Sequence, residues 1–89
     1  MDGSSRPALT PHVRVTFDHV REQHLLLAPE AVSVLNPTGA AVLELCDGRH
    51  SITEIVQELR GRYERVAPDE VAQFLARLAA KRYLEVRDA

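Results

Sequence analysis

The side chains in this sequence that could carry chemistry are few, and their spacing limits what they can do. Four histidines, His12, His19, His24 and His50, are present, but no two stand at i, i+4 and no H-E-x-x-H occurs. The single cysteine, Cys46, has no C-x-x-C partner, so no ligand set with zinc spacing can be assembled. Cys46 lies within an apolar run with no cationic neighbour, which suits a small buried hydrophobe better than a reactive thiolate. Ser33 and Ser51 stand outside any G-x-S-x-G elbow, and Ser51 has a capping role instead. The glycines are scattered and form no phosphate-cradling loop. The expectation is a protein without catalytic residues, metal or cofactor.

Nucleic acid is the next class to weigh. With 13 acidic and 11 basic side chains the net charge is −2, which gives no field that concentrates on polyanions. The basic cluster RGRYER, with Arg60, Arg62 and Arg65, is interleaved with Glu58 and Glu64 and reads as a solvated helix end. A recognition helix starting near Pro68 would present Asp69 and Glu70 to phosphates, and two carboxylates there repel a DNA backbone. A winged-helix DNA-binding regulator therefore stands only as the alternative.

The elements that position these residues follow from pattern. Eighty-nine residues make one domain, and no apolar run approaches the roughly 18 residues of a membrane span. MDGSSRPALTP lacks an apolar signal-peptide core, and a lone cysteine suits a reducing compartment, so a cytoplasmic location is expected. Residues 1–11, rich in Gly, Ser and Pro, read as a flexible lead-in, with the folded domain over 12–89. Val13, Val15 and Phe17 alternate with polar residues as in a half-buried strand. His24–Leu27 reads as a second strand and Ala31–Leu35 as a third.

At Asn36 the period changes. Asn36 is an N-cap, Pro37 fits the first helical position, and Gly48 supplies a left-handed stop for the nearly all-apolar helix between them. A helix apolar on most sides has to be covered by other elements. Ser51 and Glu54 form a capping box for a second helix with the stripe Ile52, Ile55, Val56, Leu59 and Tyr63. A third helix from Pro68 carries Val71, Phe74, Leu75, Leu78 and Ala79, and YLEVR adds a short strand or extension. The fold class is α+β, a small winged-helix-like domain with a three-stranded antiparallel sheet followed by three helices.

A three-stranded meander has two edges, and Ala31–Leu35 carries no charge to protect it. An extended peptide can add there by main-chain hydrogen bonds while alternate side chains enter the cleft between sheet and helix. The same residues also allow a central strand, or an edge covered by the N-terminus or by a second copy.

LLLAPEAVSVLN, AAVLELCDGRHSITEIVQEL and VAQFLARL, with Leu27-x-Pro29-Glu30, Leu35-Asn36 and Leu45-Cys46-Asp47-Gly48 at these separations, resemble the PqqD family of pyrroloquinoline quinone (PQQ) biosynthesis. The likeness runs from Pro7 to Val86. It implies a peptide-recognition domain whose third strand and third helix bind the precursor peptide PqqA. It also implies delivery of that peptide to the radical S-adenosylmethionine enzyme PqqE, which joins a Glu to a Tyr of the peptide with iron-sulfur clusters of its own. Carried over by position, the groove comprises Ala31, Val32, Ser33, Val34 and Leu35, with Gln73, Phe74, Arg77, Leu78 and Lys81 opposite. Val71 and Leu75 face the core in this reading, and Phe74 fits either role. A homodimer through the same strand edge is the competing use of it. Two positions depart from the family pattern: Glu22-Gln23 where a Gly-containing turn is common, and Lys81-Arg82-Tyr83 where a Gly often ends the helix.

Overall fold

A computed structural model describes residues 1–87. The element order is β1 (Arg6–Leu9), β2 (Arg14–Asp18), β3 (Gln23–Ala28), β4 (Ala31–Leu35), α1 (Pro37–Glu44), α2 (Ile52–Arg60), α3 (Pro68–Ala80) and β5 (Leu84–Arg87). β2, β3 and β4 form an antiparallel sheet in that order, and β1 pairs with β5 in a separate two-stranded sheet. The α+β class and the three-stranded meander are as the residue pattern predicts. The last two residues of the expected 12–89 domain lie outside the described residues.

Side-chain caps start two of the helices where the sequence places them. Asn36 is extended and its Oδ1 accepts the Gly39 N–H at 2.6 Å, so α1 begins with no loop after β4. Ser51 Oγ accepts the Glu54 N–H at 3.1 Å, and Glu54 Oε1 accepts the Ser51 N–H at 2.8 Å, completing the capping box of α2. The Ser51 N–H, and after it the Ser51 hydroxyl, hold the Glu54 carboxyl below its ordinary range. Ala40, Ala41, Val42 and Leu43 of α1 are all buried, since the helix is covered by the meander on one side and by α2 on another. Leu26, Ile55, Leu59, Leu75 and Tyr83 close the same core.

The N-terminal segment differs from the expected flexible lead-in over residues 1–11. Pro7 and Ala8 are buried, and β1 runs antiparallel to β5 with Arg6 opposite Arg87 and Leu9 opposite Leu84. The same segment completes α2. Ile52 N–H donates to Ser5 O and Thr53 N–H to Gly3 O, both at 3.0 Å, so the helix's first orphan donors are met by residues nearly fifty positions away. A segment without periodicity is ordered because its partners are distant, not because of its own pattern.

α1 also ends a turn sooner than Gly48 suggested. Leu45 and Cys46 donate to Val42 O and Leu43 O in tight i to i−3 bonds, and the chain then leaves the helix. Gly48 is left-handed at φ +79, but its use is close approach: its N–H donates to Pro7 O, and an added Cβ would meet the Arg87 guanidinium at 2.6 Å. α2 stops at Arg60, so Tyr63 packs against the core from the following loop rather than from the helical stripe.

Both departures from the family pattern fall on left-handed residues. Glu22 closes the β2–β3 hairpin at φ +54, and Arg82 follows α3 at φ +64. Arg82 N–H donates to Ala79 O at 2.9 Å and Tyr83 N–H to Leu78 O at 3.0 Å, a Schellman ending with arginine where glycine is easiest.

Candidate functional site

The site begins with the polarity of β4. The loop Pro29-Glu30 joins β3 to β4, with Ala28 opposite Ala31, Leu26 opposite Ser33 and His24 opposite Leu35. In a two-residue hairpin the closing pair is hydrogen-bonded, and bonded and non-bonded pairs then alternate. Ala31, Ser33 and Leu35 thus turn N–H and C=O toward β3, while Val32 and Val34 turn theirs outward. β4 pairs with β3 alone, so among the described residues nothing occupies that outward row. The Val32 and Val34 side chains, on one face of the sheet, are 65% and 63% exposed.

Beside the far end of this edge lies an open groove of about 520 Å³. One wall is Val34 and Leu35 of β4, continuing into Asn36, Thr38 and Gly39 at the start of α1. The opposite wall is the outer side of α3, with Glu70, Gln73, Phe74 and Arg77, and residues Arg65, Val66 and Ala67 close the end. Val42 and Val71 form part of an apolar floor. Gly39 lies on this wall, where a Cβ would crowd Asn36 Oδ1, the acceptor that caps α1, at 3.0 Å and would meet Phe74 Cζ at an ordinary 3.5 Å. A sheet edge next to an apolar cleft rimmed with charge can pair a backbone and sort its side chains.

Of the residues predicted from sequence, the structure brings Val34, Leu35, Gln73, Phe74 and Arg77 to the groove. Ala31, Val32 and Ser33 lie on the same strand outside the groove lining, where Val32 contributes outward backbone groups. Lys81 caps the far end of α3, away from the lining. Leu78 is corrected: it is 7% exposed and belongs to the core, since Val71, Leu75 and Leu78 form one buried i, i+4, i+7 stripe. Phe74 takes both expected roles, half-buried against the core and lining the groove. Sequence reasoning missed Asn36, Thr38, Gly39 and Val42, although Asn36 as an N-cap directly after a strand is the signal that α1 continues the same wall. Nothing in the pattern of Arg65–Ala67 marks it as a wall.

Side-chain contacts fix the turns around the sheet and after α1. Tyr83 Oη donates to Glu30 Oε1 at 3.3 Å, tying the β3–β4 turn to the segment before β5. Burial, and then the Glu30 charge, push the Tyr83 phenol up. After α1, Asp47 Oδ1 accepts the Arg49 N–H at 2.8 Å and the His50 N–H at 3.2 Å, and His50 Nδ1 lies 3.0 Å away. The Arg49 backbone bond, followed by the His50 ring, holds the Asp47 carboxyl at about 2. Cys46 is buried, donates to Val42 O at 3.3 Å, and has its thiol pushed up to about 12 by burial and the Asp47 charge, which makes it inert. Among the described residues no group of three His, Cys, Asp or Glu side chains is placed to hold a metal ion, and no helix is long and apolar enough to cross a membrane.

The family model described as Coenzyme PQQ synthesis protein D (PqqD) matches residues 23–84, from β3 to the start of β5. The chain is 42% identical over 86 residues to the bifunctional coenzyme PQQ synthesis protein C/D of Methylorubrum extorquens, covering 93% of this chain but only 23% of that protein. It is 36% identical over 91 residues to a PqqA binding protein of Rhodopseudomonas palustris strain BisB5, covering 97% of this chain and 88% of that one. A solution structure of the PqqD part of Methylobacterium extorquens PqqCD, described as a stand-alone recognition element for ribosomally synthesized, post-translationally modified peptides, superposes with a TM-score of 0.73. It shares 43% identity and covers 94% of this chain and 93% of that one.

Proposed function

The chain belongs to the PqqD family, and from that premise we propose that it is a non-catalytic peptide chaperone of PQQ biosynthesis, binding the precursor PqqA by strand addition at β4. The observation that carries this reading is the outward row of N–H and C=O groups at Val32 and Val34, unpaired among the described residues and running into the groove faced by Phe74. An incoming extended segment extends the meander by one strand through main-chain bonds, and its inward side chains meet the cleft between β4 and α3. PqqA is the fitting occupant because relatives similar over most of this chain's length are PqqA binding proteins.

The peptide so held is presented to the radical S-adenosylmethionine enzyme PqqE, and the bond-forming chemistry and its iron-sulfur clusters belong to that partner. The protein's own part is to fix the backbone of a flexible substrate and so lower the ordering cost of the encounter. This work takes place in the cytoplasm. A DNA-binding role finds no support in the relatives, and Asp69 and Glu70 occupy the first turn of α3. A second copy pairing at β4 competes for the same edge, so peptide and dimer exclude one another.

The test is calorimetric titration with synthetic PqqA, followed by mass spectrometry of the Glu–Tyr cross-link made by PqqE with and without this protein. The expected result is one peptide per chain and cross-linking that depends on the protein. Absence of binding, or cross-linking equally fast without it, contradicts the proposal.

A further inference from the structure

Resting on the proposal that the groove holds a precursor peptide, we infer that Arg65 and Arg77 read a carboxylate of that peptide while the apolar floor takes a neighbouring hydrophobic side chain. The charged residues of the lining are Arg65, Arg77 and Glu70, so the groove is positive within a chain whose net charge is −2. Both arginines are exposed. Among the described residues neither has a carboxylate within ion-pair distance, whereas Arg62, three residues before Arg65, is paired with Glu58 at 3.4 Å. Among the described residues two guanidinium groups are thus left without a carboxylate partner, one at the end and one on the α3 wall of the groove that borders the free edge.

Their placement selects the ligand. Arg77 is one turn beyond Phe74 on the outer side of α3, and Arg65 adjoins Val66, which is half-buried against the core. Each cation thus stands next to an apolar lining residue. A segment that seats an aliphatic or aromatic side chain against Phe74 and Val66 brings its next side chains to the rim, where a guanidinium binds a carboxylate through paired N–H donors. Glu70 on the same wall disfavours a second carboxylate near it and so helps to set the register. Backbone pairing at β4 gives affinity that is blind to sequence, and the arginines supply selectivity for acidic segments.

The experiment compares synthetic PqqA with a version in which every Asp and Glu is Asn or Gln, using calorimetry on the full chain at low and high salt. Exposed ion pairs give about two- to fivefold in affinity for each arginine, so the acidic peptide binds roughly 4- to 25-fold more tightly at low salt. The preference shrinks as salt rises. In the doubly reversed variant Arg65→Glu with Arg77→Glu the preference disappears or inverts, while the neutral peptide binds as it does to the parent. Circular dichroism verifies that the variant is folded, and the single variants Arg65→Ala and Arg77→Ala give the same direction if it is not. Equal binding of the two peptides by the parent protein overturns the inference and leaves strand addition standing. If neither peptide binds, the underlying proposal falls and the inference with it.

Discussion

The alternating polarity of β4 makes neighbouring residues respond in opposite ways to proline. Ser33 is opposite Leu26, and its N–H points into the sheet. Proline at 33 removes that donor and strands the carbonyl of Leu26, a residue only 2% exposed. A stranded buried acceptor costs about 1–3 kcal/mol, and a ring between paired strands adds to it. A total of about 2–4 kcal/mol lowers the midpoint by roughly 10–30 °C in a domain of this size. Val32 has its N–H turned outward and its side chain exposed, so Val32→Pro breaks no ladder bond and costs about 1 kcal/mol or less. What it does remove is a donor to the incoming strand, and its ring occupies the strand's path. Loss of one such hydrogen bond is worth about 0.5–1.5 kcal/mol, or up to roughly tenfold in Kd, before any steric effect. Thermal denaturation and peptide titration of both variants read the two effects separately. The expected pattern is Ser33→Pro strongly destabilised, and Val32→Pro folded but at least several-fold weaker in binding. Equal melting losses, or Val32→Pro binding like the parent, would refute the assignment of the free edge.

Further outcomes follow from other parts of the fold. Removing Met1–Leu9 takes away the partner of β5 and the acceptors of the Ile52 and Thr53 amides, so a loss of about 3 kcal/mol or more is expected in a chemical denaturation curve. An idle lead-in would give none. Arg82→Gly relieves a left-handed non-glycine residue in the α3 ending and is expected to raise stability by about 1 kcal/mol, seen as a higher midpoint. Asp47→Ala removes an acceptor of two backbone donors and costs stability at pH 7, by about 1 kcal/mol or less because the side chain is more than a third exposed. Its folded pKa is depressed to about 2 from 3.8, so the stabilisation is full above pH 4 and is lost as pH falls toward 2. The denaturation curves of parent and variant should therefore converge at acid pH.

The parts of the fold legible in the sequence are those with local causes. Ala31–Leu35, the Asn36 cap, the Ser51–Glu54 box and the Pro68 start each rest on residues within a few positions of one another. β1 was illegible because its four residues carry no alternation and its order comes from β5 and from α2. The early end of α1 was hidden by a glycine that reads as a helix stop but serves the close approach of Arg87. Of the expected groove residues, Val34 and Leu35 of β4 and Gln73, Phe74 and Arg77 of α3 line it, while Ala31, Val32, Ser33 and Lys81 do not. Placing Leu78 there overlooked a buried stripe already visible in its own spacing, and the wall from Arg65 to Ala67 depends on how a loop without periodicity folds back. Edge status itself needed topology: nothing in five uncharged residues distinguishes a central strand from an edge.

The most direct test of strand addition is amide hydrogen exchange by NMR, read residue by residue along β4 with and without saturating PqqA. In the free protein the amides of Ser33 and Leu35 should be protected and those of Val32 and Val34 should exchange quickly. With peptide bound, Val32 and Val34 should slow by about tenfold or more as their donors gain acceptors. Should those two amides keep their fast exchange while the peptide is bound, the peptide sits elsewhere and β4 is not its dock.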